Sequence, residues 1–143
     1  MVLQVNSVFV APRVDLPASV EEDLDQSCSP YAAERARSGG YHGMVKVMRQ
    51  DRQLLQPEFC ALVKRLGHRL SLNELRLHEY HPVGARRTMV PAIAAGLGIR
   101  EDTLLAVFDA SVLMREKASR ARESVQCASP SSRRGGRRAA QAA

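Results

Sequence analysis

The chain has 143 residues, room for about one domain, and 45% of them are apolar, so a core can form. Three Phe, three Tyr and no Trp leave that core aliphatic and Ala-rich, which suits close-packed helices. No apolar run approaches the roughly 20 residues that span a bilayer, residues 1–10 lack the basic start of a secretory signal, and Cys28, Cys60 and Cys127 are too scattered for a disulfide framework. A membrane span and a disulfide-rich scaffold are therefore not expected, and a reducing compartment is: the cytoplasm, or the nucleus of a eukaryote.

Residues 2–10 alternate loosely and predict a short strand ended by Ala11-Pro12. Residues 17–26 have a helical composition but little apolar face. Ser29-Pro30 is a start signal, with Ser as N-cap and Pro in the first turn, for a two-turn helix over residues 31–37 that Gly39-Gly40 stops. Residues 41–55 stay open between two readings. Met44 to Met48 can pair as a strand with the N-terminal one, or open a helix that continues through Leu54 and Leu55. Pro57 starts the next helix, with Phe59, Leu62, Val63 and Leu66 as one inward stripe and Gly67 as its end. Ser71 and Glu74 have the spacing of a capping box, opening a helix with Leu72, Leu75 and Leu77 that Pro82 limits. Thr88 is the expected N-cap of a helix over residues 89–97. After Gly98, a last helix over about residues 101–122 turns Leu104, Val107, Phe108, Val112 and Met114 inward.

The expected fold is therefore mainly α. It is a small helical bundle with a helix-turn-helix-like pair, and a short two-stranded β element near the N-terminus is its open feature. Charge and composition divide the chain into an acidic segment over 1–56, the bundle over 57–122, and a disordered basic tail over 123–143. Residues 1–29 sum to −4, residues 30–114 to +4 and residues 115–143 to +6. The last seventeen residues carry no large apolar side chain to offset the roughly 1–2 kcal/mol per residue that ordering a backbone costs.

Within residues 90–109 the physical demands of a helix-turn-helix are met in order. Ala94 is the small residue where two helices touch, and Gly98 stands at the turn four residues later. Ile93, Leu97, Ile99, Leu104 and Val107 fill the inward positions, with Pro91 in the first turn. This segment resembles the helix-turn-helix of bacterial and phage transcription regulators. The resemblance covers about 20 of the 143 residues and implies a second helix that reads DNA from its N-terminal end. The outward positions there are Arg100, Glu101, Asp102, Leu105, Ala106 and Asp109. Gly96, inside the first helix, costs about 1 kcal/mol relative to Ala.

The candidate nucleic-acid residues are Arg86 and Arg87 before the pair, Arg100 and Thr103 at its second helix, and Arg115, Lys117 and Arg120 after it. Arg133, Arg134, Arg137 and Arg138 in the tail complete the set, and Lys64, Arg65, Arg69 and Arg76 on the preceding helices can add phosphate contacts. Signals for enzyme chemistry are weak. His78 and His81 have an i, i+3 spacing, not the i, i+4 of zinc proteases, and read as surface histidines. Cys60 reads as half-buried rather than as a nucleophile. No enzyme activity, metal or cofactor is expected. The leading expectation is a small regulator whose partner is nucleic acid, most simply DNA. The alternative is a helical interaction module, an adaptor, chaperone or assembly factor, that docks a protein partner.

Overall fold

The computed structural model describes residues 13–80 and 83–128, with side chains to residue 124. Among these there are seven α-helices, one 3-10 turn and no strand. The helices are α1 (Ala18–Ser27), α2 (Pro30–Arg37), α3 (Tyr41–Asp51), α4 (Gln56–Arg65), α5 (Leu72–Tyr80), α6 (Val90–Leu97) and α7 (Glu101–Ala128). The expectation of a mainly helical bundle holds. The strand at residues 2–10 lies outside the described residues. The chain divides into two compact units at Val112/Leu113.

The first unit has one core, running from Val20 to Phe108, so the charge boundary near residue 56 does not separate two cores. Helix α1 contributes only Val20 and Leu24 as buried apolar residues. Its weak face is supplemented electrostatically: Arg37 of α2 reaches Glu21 and Asp25, both at 2.6 Å. Ser29 caps α2 by accepting from the Ala32 N–H. The helix then buries Ala32, Ala33 and Ala36, a small face that lets its backbone approach α3.

Helix α3 settles the open segment. Its buried residues, Tyr41, Met44, Val45, Met48 and Arg49, recur at three- and four-residue spacing, whereas a strand would have set Lys46 beside Met44 and Met48. The helix is central, packing on α2, α5 and α6. Tyr41 anchors its start, meeting Phe108 edge-on at 4.9 Å and donating its backbone N–H to Ser111 Oγ at 3.2 Å.

Helix α4 buries Phe59 and Val63 but leaves Leu66 exposed. Leu66 lies past the last helical turn, which corrects its place in the inward stripe. The capping box of α5 forms reciprocally, each of its two bonds 3.1 Å long. Thr88 is not an N-cap. It sits inside the 3-10 turn Arg87–Met89, and α6 follows from Val90 without a side-chain cap. All five inward positions of the α6–α7 pair are buried: Ile93, Leu97, Ile99, Leu104 and Val107. Gly98 closes α6 in the left-handed region at φ 73°, where a side chain would be strained.

Helix α7 runs to Ala128, six residues past the boundary expected for the tail. Within the second unit, Leu113 is half exposed and residues 116–124 are exposed.

Gly96 is explained by packing. A Cβ built there would meet Phe59 Cζ at 2.5 Å and Val63 Cγ2 at 2.8 Å. Gly96→Ala gains about 1 kcal/mol of helix propensity but forces apart α4 and α6, an overpacking cost of roughly 1–3 kcal/mol. The expected outcome is a net loss, read as a lower urea midpoint at unchanged m-value.

Candidate nucleic-acid interface

Helix α5 has two faces of different chemistry. Leu75, His78 and Glu79 point inward and are buried. Asn73, Arg76 and Tyr80, spaced three and four residues apart, form an exposed outer stripe. Two polar contacts fix which face is which. Glu79, with no exposed side-chain surface, takes Arg49 Nε at 2.6 Å and Arg49 Nη2 at 3.0 Å. Gln56 Nε2 adds a third donor at 3.1 Å, while Arg49 Nη1 donates to the Leu54 carbonyl at 2.6 Å. The Glu79 hydrogen bond raises the pKa of the Arg49 guanidinium, against its burial. Beside Glu79 on α5, His78 Nδ1 lies 2.8 Å from Tyr41 Oη.

Next to the N-terminal end of α5, a groove of about 530 Å³ is lined by Cys60, Lys64, His68, Arg69 and Ser71 among others. Lys64, Arg65, Arg69 and Arg76 are all exposed, and none has a carboxylate partner among the described residues. Burial pushes the Cys60 thiol pKa up, with Glu79 and Glu74 adding to it, so the thiolate needed for nucleophilic chemistry is disfavoured. No cluster of three or more metal-ligating side chains occurs among the described residues.

The cations singled out around α6–α7 are placed differently. Thr103 is only 1% exposed and cannot meet a ligand from outside, a correction to its place among the candidate contacts. Arg100 is closed onto Asp102 by two hydrogen bonds, which raise its pKa and lower that of Asp102. Arg87 makes a bidentate pair with Asp109 at 2.9 and 3.0 Å, and Arg86 pairs with Glu74. These pairs are solvent-exposed, so they lower local positive charge without locking the side chains. Farther along α7, Lys117 and Arg120 are exposed and Arg115 is half-buried. Arg133, Arg134, Arg137 and Arg138 lie outside the described residues, as does His81.

His78 is buried, not a surface histidine. The sequence offered no sign of this, because its partners Tyr41 and Phe108 are 37 and 30 residues away along the chain. Asn73 was equally silent, a lone amide whose exposure becomes visible only once Leu75 and Glu79 are known to face inward.

No protein-family model matches the chain, and no curated protein or solved structure is detectably similar to it.

Two predictions follow from the inward face of α5. Glu79→Gln keeps the shape but leaves Arg49 buried without its counter-charge, and is expected to lower stability by about 3 kcal/mol in denaturant unfolding. Burial, against the pull of the Arg86 backbone, holds the His78 pKa down to about 4 from an ordinary 6.5. The unfolded chain therefore binds the His78 proton more readily than the folded one. Stability is fully present above pH 6.5 and is lost as pH falls toward 4. The unfolding free energy from urea titrations should drop between about pH 7.5 and about pH 5.5 by an amount on the order of 1 kcal/mol, and His78→Gln should flatten that slope.

Proposed function

We propose that this chain is a small nucleic-acid-binding regulator that meets a duplex through the α4–α5 face. The observation that carries this reading is that Lys64, Arg65, Arg69 and Arg76 have no carboxylate partner among the described residues, whereas Arg86, Arg87 and Arg100 are ion-paired. Unpaired surface cations release counterions from phosphate at no internal cost, whereas paired ones must first surrender a carboxylate. Helix α5 has the form a base-reading helix needs. It is short, its inward face is locked, and its N-terminal half presents Asn73 and Arg76, side-chain types that pair bidentately with adenine and guanine edges. Lys64, Arg65 and Arg69 at the preceding turn would hold phosphates and set the register. The N-terminal turn of α7 fits the task less well, because Glu101 and Asp102 are exposed there and Thr103 is inside.

Fluorescence anisotropy with a labelled duplex tests this. Binding should weaken steeply with salt, and Arg69→Glu combined with Arg76→Glu should cost at least about tenfold and shrink the salt slope by about 2. Reversal of Arg100 should change affinity less than twofold. Full binding by the Arg69/Arg76 variant would refute the α4–α5 face, and salt-independent binding would refute the whole proposal.

A further inference from the structure

A second groove, of about 340 Å³, lies where α2, α3 and the C-terminal end of α5 meet, walled by Tyr31, Arg35, His42, Lys46, Glu79 and Tyr80. Its two permanent cations are held ready. Arg35 Nη2 donates to Tyr31 Oη at 2.5 Å, with its guanidinium carbon 5.0 Å from the Tyr31 ring centroid. Lys46 Nζ stands 4.6 Å from the Tyr80 ring centroid. Each is therefore oriented by an aromatic ring rather than by a carboxylate, and neither has an acidic partner among the described residues. The groove's acid, Glu79, is occupied: both its oxygens accept from Arg49, and Oε1 from Gln56 as well. Gly43 completes the wall. A Cβ there would meet Arg35 Nη1 at 3.1 Å and Cδ at 3.4 Å, so the Arg35 side chain lies close across α3 at this glycine.

We infer that this groove is a binding site for a small phosphorylated molecule. Arg35 presents its planar donors to phosphate oxygens, Lys46 adds a point charge, and the Tyr31 and Tyr80 hydroxyls are further donors. The volume admits a molecule larger than inorganic phosphate itself. Because the aromatic rings already restrain both cations, less side-chain freedom is lost on binding than for free surface lysines. The site is distinct from the α4–α5 face, and the inference stands whether or not that face binds a duplex.

Thermal unfolding of the full chain in about 20 mM pyrophosphate, against chloride at matched ionic strength, tests it. The wild type should gain about 4 °C. Arg69→Glu/Arg76→Glu should keep that gain, and Arg35→Ala/Lys46→Ala should lose it while retaining its helical circular dichroism. Lys46→Gln alone, a milder change, should lose about half. No gain in the wild type, an undiminished gain in Arg35→Ala/Lys46→Ala or in Lys46→Gln, or a gain that disappears in the Arg69/Arg76 variant would each overturn the inference. Duplex binding by Arg35→Ala/Lys46→Ala should stay at the wild-type level. Its loss would assign the groove to the nucleic acid and overturn the small-molecule site.

Discussion

Arg49 and Glu79 are buried against one another in a core that is mainly apolar, and most of what is distinctive in the first unit depends on that pair. Two charges removed from water rarely stabilise a fold outright, because desolvation consumes the Coulombic gain. What they supply is direction. A carboxylate with three donors and a guanidinium with a backbone acceptor admit one arrangement, whereas apolar contacts tolerate sliding. The pair fixes the rotation of α5 about its axis, and through the Leu54 carbonyl and Gln56 it fixes the start of α4 as well. Three helices are thereby oriented by one polar knot. The outer stripe of α5 is simply what remains when Glu79 and its neighbour His78 are committed to the inside.

Charge pairing then decides which surface is electrostatically active. The net charge of +6 suggests a uniformly basic protein, but the cations are not equivalent. Arg13 and Arg37 are absorbed by the acids of α1 and α2, so the acidic front is partly neutralised from within its own unit. Arg86, Arg87 and Arg100 are absorbed around α6 and the start of α7. Among the described residues of the first unit, positive charge without a carboxylate partner includes that on α4, at the turn before α5, on α5 itself, and on Arg35 and Lys46 at the second groove. A count along the chain misses this, because pairing is a property of distance in space.

The sequence made legible whatever is encoded within a few residues. Ser29 with Pro30, the Ser71 and Glu74 capping box, Gly98 and the five inward positions of α6–α7 are all local chemistry, and each is seen in the fold. Features that need two distant segments were not legible. Residues 41–51 are helical because Tyr41, Met44, Val45 and Met48 find α2, α5 and α6, neighbours that a window of eleven residues does not contain. Gly96 looked like a weakness in α6 until Phe59 and Val63 appeared against it. Thr103 was open as a candidate contact because periodicity places only large apolar side chains. Its buried position follows from the rotation that Leu104 and Val107 impose on α7.

On the proposed assignments, two cationic sites border the nine residues of α5, one toward its N-terminal end and one, with its cations on α2 and α3, at its C-terminal end. How such sites influence each other depends on how α5 is held. A helix free to turn or slide would couple them through its movement. The buried ion pair lies beneath the C-terminal half of α5 and opposes both motions, since either would strip the buried Glu79 of its donors. What remains is the direct effect of charge: a bound phosphate offsets positive potential along the helix, and salt screens that effect over about 8–10 Å. The ion pair that orients the helix thus also limits it to electrostatic communication.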